Sequence, residues 1–102
     1  MLKRIELVDQ FIAGRGFNEF VEDTQTVYAV TRCLEIISEA SRRLTDAIKA
    51  RHPHILWKEM AGAGNVYRHD YEDVGARAVW HTATNSLPPL RAVIEAELSG
   101  LQ

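Results

Sequence analysis

Apolar residues recur along this chain at steps of three and four, the spacing that stacks side chains on one face of an α-helix. Leu2, Ile5, Val8 and Ile12 form the first such stripe, widened by Leu7 and Phe11, and Gly14 and Gly16 end it. This helix begins at Met1 with no capping residue ahead of it. Phe17 to Glu22 reads as one or two helical turns opened by Asn18 as a cap, after which Asp23 or Thr24 caps a long helix. Within that helix Val27, Val30, Leu34, Ile37, Ser41, Leu44 and Ile48 keep one seam toward a neighbour. Tyr28, Ile36 and Ala40 broaden the seam beyond what one helix covers, which predicts packing on two sides, within the monomer or against a second copy.

A break is expected near Thr45 with a restart at Asp46, and His52-Pro53-His54 closes the segment because proline disfavours helical geometry in the residue before it. Trp57, Met60, Ala61, Gly64 and Tyr67 or Arg68 set the next helical face, over 57–70. Gly62 and Gly64 each cost such a helix about 1 kcal/mol relative to Ala, a cost usually offset by close approach of another backbone or a ligand. Glu72 and Asp73 cap a fourth helix carrying Val74, Ala78, Val79 and Trp80. Asn85 to Pro89 interrupts it, and Leu90, Val93, Ile94 and Leu98 give a final short helix. No alternating strand pattern competes. The expected class is all-α, an antiparallel up-and-down bundle of four main helices plus short helical segments.

With 102 residues the chain suits one domain, residues 1–102, around one modest core. Hydrophobic residues at 46% and charged residues at 25% exclude disordered and collagen-like classes. No apolar run approaches bilayer length and the first residues mix charges into the apolar repeat, so the expectation is a cytoplasmic protein without a membrane role. Net charge of -2 argues against nonspecific coating of nucleic acid, which rests on many Lys and Arg side chains. Arg42, Arg43, Lys49 and Arg51, followed by His52 and His54, form the densest basic patch, and a solvated helix face is the expected reading over a phosphate site. Cys33 has no partner for an internal disulfide and sits in an apolar helical pattern, as a small core residue does.

The chemistry concentrates between Gly64 and Tyr71. On a helix over 57–70, Asn65, Arg68 and His69 share one face, and Tyr71 follows at the helix end. An imidazole that titrates near neutrality, a cation and a hydrogen-bonding amide are the groups that move a proton on or off a phosphodiester, with no metal or other cofactor required. His69 lies near a helix C-terminus, where the dipole favours a protonated ring. Asp70 points away from it on a helix and is expected in solvent. A lone histidine is more often structural, and it is the company of Asn65, Arg68 and Tyr71 that raises His69 above that reading. His52, His54 and His81 lie on separate elements and lack the close pair spacing of a zinc site. Gly62-x-Gly64 lacks the third glycine and preceding strand of a nucleotide loop. Trp57, Trp80 and Tyr28 read as core or interface anchors. Glu35 and Glu39, one turn apart, either orient the His69 region or are simply solvated.

Trp57-Lys58-Glu59-Met60-Ala61-Gly62 leading into Asn65, His69 and Tyr71, then Val79-Trp80 and Asn85-x-Leu87-Pro88-Pro89-Leu90, resembles the HepT-like branch of the HEPN superfamily. Leu34-Glu35-Ile36-Ile37-Ser38-Glu39-Ala40 resembles its long second helix. The likeness covers nearly the whole chain, lacking only the beginning of the first helix. It implies a small helical bundle that dimerises, with the polar motifs of both subunits facing one cleft, and an endoribonuclease acting as a toxin. It also implies a minimal nucleotidyltransferase antitoxin that neutralises the toxin by complex formation or by attaching AMP to the motif tyrosine.

The family signature is an Arg, a polar residue, three variable positions, His, one variable position and Tyr. The resemblance thus makes His69 the general acid or base, Asn65 the polar residue that holds RNA or imidazole, and Tyr71 the RNA-contacting or AMP-modified phenol. The signature arginine falls on Gly64, which cannot stabilise charge on a phosphate. Arg68 from the next turn or the other subunit of the dimer supplies that role, or cleavage is lost and a catalytically inactive partner remains that binds a nucleotidyltransferase or nucleotide. A helical dimerisation domain without ligand is the blandest reading and leaves the clustering of Asn65, Arg68, His69 and Tyr71 without a reason.

Overall fold

In a computed structural model, residues 1–62 and 73–100 are described. Among them every regular element is helical. Helix α1 spans Leu2–Ile12 and ends as the stripe predicts, in a turn whose Ala13 has φ -56 and ψ 127 and whose Gly14 has φ 73. Those angles define a type II turn, which needs a residue able to take positive φ at its third position. Arg15 closes it by donating its N–H to Ile12 O at 3.0 Å.

Helix α2, Phe17–Glu22, is capped by Gly16 and not by Asn18. Gly16 is extended, and its N–H donates to the Glu19 carboxylate three residues on. That is the return half of a capping box, formed around a glycine where Ser or Thr would have announced it. Asp23 caps α3, Thr24–Arg42, accepting from the Thr26 N–H at 3.2 Å and the Thr26 hydroxyl at 2.8 Å. The break falls where expected: Thr45 caps α4, Asp46–Arg51, and His52 ends it.

Helix α5 begins at residue 57 and is described through 62. Helix α6, Asp73–His81, runs into a five-residue π-helical turn, Thr82–Ser86, and then α7, Leu87–Gly100. The interruption expected at Asn85 to Pro89 is therefore a widening of one helical path, and the last helix has 14 residues, longer than expected. Proline is tolerated in the first turn of a helix, where its missing N–H has no intrahelical partner to lose. The wide turn supplies such a start, with the Leu87 N–H reaching back five residues to Thr82 O. Thr84 Oγ1 and Asn85 Nδ2 donate to the Trp80 and His81 carbonyls at 2.8 and 3.2 Å, which holds the turn from the side.

The α3 seam is the middle of the core. Val30, Leu34, Ile37 and Ser41 are buried, and Val27, Leu44 and Ile48 are half-buried. Val30, Leu34 and Ile37, with Val27 and Leu44 against them, share one cluster with Ile5 and Val8 of α1, Phe20 of α2, Met60 of α5, Val79 of α6 and Leu87, Leu90 and Ile94 of α7. Each such aliphatic side chain contributes about 1.5–3 kcal/mol by leaving water. Helix α1 lies along α3, α7 closes on α1, and α2 packs on both α3 and α6. Cys33 is buried, as expected, and burial pushes its thiol pKa up. Tyr28, expected as a core or interface anchor, is 60% exposed and so contributes nothing to this core. Arg91 of α7 clasps α1 at Asp9, 2.7 Å, and its own helix at Glu95, 2.8 Å. Among the described residues no helix is long and apolar enough to cross a membrane.

Candidate functional site

Gly64, Asn65, Arg68, His69 and Tyr71 lie outside the described residues. What the structure shows is the frame on both sides of them. On the entry side Met60 is buried in the core and Trp57 is packed against it. The Trp57 indole N–H donates to His52 O at 3.0 Å, with Lys49 O at 3.2 Å, so α5 starts in a fixed relation to the end of α4. Arg42, the last residue of α3, donates from Nη2 to Ala61 O at 2.6 Å while its Nη1 pairs with Glu39 at 2.9 Å. On the exit side Gly75, Ala76 and Val79 are buried, and α6 packs on α2 and α3. Both ends of the segment are thus tied to the long helix.

A cleft of about 300 Å³ opens beside this frame, lined by His54, Leu56, Glu59, Met60, His81 and Asn85 among others. A second groove, about 350 Å³, lies between α2 and α6 and is lined by Phe17, Arg77, Trp80, His81, Thr84 and Asn85. His81 and Asn85 border both. At Gly62 a Cβ would meet no described atom within 4 Å, and Gly64 lies outside the described residues.

Within the basic patch Arg42, Arg43, Arg51 and His52 face carboxylates. Arg51 holds Glu97 of α7 through two hydrogen bonds of 3.0 and 2.7 Å, and His52 Nε2 lies 2.7 Å from the same carboxylate. The Arg51 guanidinium, and then His52, hold the Glu97 carboxyl down at about 2. Asp23 is likewise held at about 2, first by the Thr26 hydroxyl and then by Arg15. Glu35 pairs with Arg32 and Glu39 with Arg42 and Arg43, so both carboxylates have partners on their own helix. Among the described residues no group of three or more His, Cys, Asp or Glu is placed to hold a metal ion.

The sequence reading did not single out the Glu97 cluster, whose members stand 45 and 46 positions apart and leave no local signal. Arg77 draws no reading from the sequence, and His81 and Asn85 are read there separately and not as a pair. The pair carries a signal, since residues four apart face one another on a helix.

Comparison with known proteins completes this frame. The sequence profile described as Ribonuclease HepT-like matches residues 1–97. The chain belongs to the HepT-like ribonuclease family. A protein of Thermococcus cleftensis named "Probable ribonuclease HepT" is 38% identical over 91 residues, covering 89% of this chain and 83% of that one. A candidate RNase of Methanocaldococcus jannaschii is 31% identical over 102 residues, 100% of this chain and 88% of its own length. Another, of Caldanaerobacter subterraneus, is 32% identical over 95 residues, 93% and 85% of the two chains. No solved structure matches the chain. The all-α bundle agrees with membership in this family.

Proposed function

We propose that this protein is an endoribonuclease that cleaves RNA without a metal ion, through His69 in a cleft formed by two copies of the chain. The observation that carries the reading is the family match across residues 1–97 together with Asn65, His69 and Tyr71 at the spacing of the family signature. The 2′-hydroxyl of the RNA attacks the adjacent phosphorus and the P–O5′ bond breaks. His69 takes the proton from the nucleophile or delivers one to the departing 5′ oxygen. Arg68 stands in for the arginine missing at Gly64 and stabilises the charge that develops on the phosphoryl oxygens. Asn65 holds the RNA or the imidazole. The activity is that of a toxin, paired with a minimal nucleotidyltransferase antitoxin that binds the chain or transfers AMP to Tyr71. Purified protein incubated with RNA tests this: degradation by wild type that persists unchanged in His69→Ala refutes the role given to that residue.

Gly64 favours a second reading, a catalytically silent partner that binds a nucleotidyltransferase or a nucleotide through the same cleft. Under it the chain forms a stable complex with the nucleotidyltransferase and leaves RNA intact. Growth arrest that depends on His69 contradicts it.

A further inference from the structure

The groove between α2 and α6 gathers groups that the reaction above does not use. Arg77 is exposed, and its guanidinium carbon lies 5.3 Å from the centroid of the Phe17 ring, a cation–π contact that holds the head group in place. Among the described side chains no carboxylate pairs with it, nor with Arg4, whereas Arg15, Arg32, Arg42, Arg43, Arg51 and Arg91 all have acidic partners. Phe17 stands edge-on to Trp80 with centroids 6.2 Å apart, and Trp80 rests on the buried Phe20 at 5.1 Å, so the aromatic floor of the groove is anchored in the core. One turn along, the Asn85 amide nitrogen is surrounded by three acceptors: His81 Nδ1 at 3.3 Å, His81 O at 3.2 Å and Thr84 Oγ1 at 3.1 Å. The ring's other nitrogen, Nε2, takes no part in this contact, and with Nδ1 facing the amide it can carry a proton and act as a donor. The π-helical turn, a feature that recurs at functional sites, sets this pair at the rim.

We infer that this groove binds a sugar-phosphate of single-stranded RNA outside the linkage that is cut, with the phosphate on Arg77 and His81 Nε2 as a further donor. Charge complementarity selects this occupant: a guanidinium with no acidic partner among the described side chains, fixed over an aromatic ring beside a second donor, fits a phosphodiester. Its position suits an extended strand, because α6 begins one residue after the segment 63–72 that contains the reacting motif, and His81 and Asn85 also border the cleft beside α5. The inference rests on the ribonuclease reading.

The test measures binding of a labelled single-stranded oligoribonucleotide to the His69→Ala protein, which leaves the RNA whole, by fluorescence anisotropy over a range of salt. Adding Arg77→Gln is expected to raise Kd about tenfold and to flatten the slope of log Kd against log salt by about 0.7, the loss of one phosphate contact. Arg77→Lys keeps most of that slope. Arg32→Gln, which removes another exposed arginine, on α3, changes Kd by less than about twofold. KM and kcat of RNA cleavage by the wild-type and Arg77→Gln proteins read the same contact independently, with KM rising and kcat nearly unchanged. If wild type cleaves RNA and Arg77→Gln binds and cleaves it no worse than Arg32→Gln does, the groove assignment is overturned and the ribonuclease reading stands. If wild type neither cleaves nor binds RNA, both fall.

Discussion

Arg42 Nη2 donates to the Ala61 carbonyl at 2.6 Å, joining the last residue of α3 to the helix that leads into the motif. The other arm of the same guanidinium is held by Glu39 at 2.9 Å, so the donor is oriented before it reaches α5. Arg42→Ala is expected to lower RNA cleavage about three- to tenfold by loosening the approach to Asn65 and His69. Thermal stability should move by less than about 1 kcal/mol, because the side chain is largely exposed. Steady-state cleavage measured beside a thermal melt checks the split, and equal losses in both would make the contact merely structural.

Acid should weaken the fold through the two depressed carboxyls. Glu97 is lowered from 4.5 to about 2 and Asp23 from 3.8 to about 2, so each binds a proton less readily folded than unfolded. Their contribution is complete above the unfolded values, and it is lost as pH falls from about 4.5 toward 2. Glu97→Gln should therefore have a lower Tm than wild type at neutral pH and a shallower decline between pH 4.5 and 2.5, read by melts across that interval. Parallel curves would show that the cluster with Arg51 and His52 does not form in solution.

Two neighbours on α3 should respond in opposite ways. Ile37 is fully buried in the core, and Ile37→Ala is expected to cost about 2–5 kcal/mol. Ser38 is 3% exposed and its hydroxyl has no hydrogen-bond partner among the described residues. Removing an unpaired buried hydroxyl relieves a desolvation cost, so Ser38→Ala should be neutral or gain up to about 1 kcal/mol. Urea denaturation of both variants measures this.

Arg68 carries the charge-stabilising role in the proposed reaction, with Gly64 in the position of the family arginine. Arg68→Ala is expected to reduce kcat by about 10²–10³, the usual consequence of removing one donor to a developing oxyanion. Gly64→Arg in that background should restore at least a tenth of the loss on the logarithmic scale and, with a well-placed guanidinium, most of it. Full activity in Arg68→Ala alone would assign the charge to another group.

Much of this architecture is legible in the amino-acid order because the long helix announces itself. The α3 seam runs at strict steps of three and four, Asp23 is a strong capping residue ahead of it, and Thr45 followed by Asp46 marks a second start. Three features are not legible, each for a physical reason. Gly16 caps α2 through its backbone, and a glycine gives no side-chain signal. Pro88 and Pro89 look like a stop, yet a π-helical turn beforehand turns them into the opening of α7. Glu97 meets Arg51 and His52 only because α7 returns beside α4, a tertiary event that no local pattern encodes. The motif from Gly64 to Tyr71 is the reverse case: its chemistry is read from residue types and spacing, and it lies outside the described residues.

The chemistry of the RNA ends tests the central claim most directly. Mass spectrometry of the fragments released from a defined oligoribonucleotide, with EDTA present throughout, should show 2′,3′-cyclic phosphate on one fragment and a free 5′-hydroxyl on the other, with no product from His69→Ala. Intact RNA with the wild-type protein, or fragments ending in 3′-hydroxyl and 5′-phosphate, would contradict it.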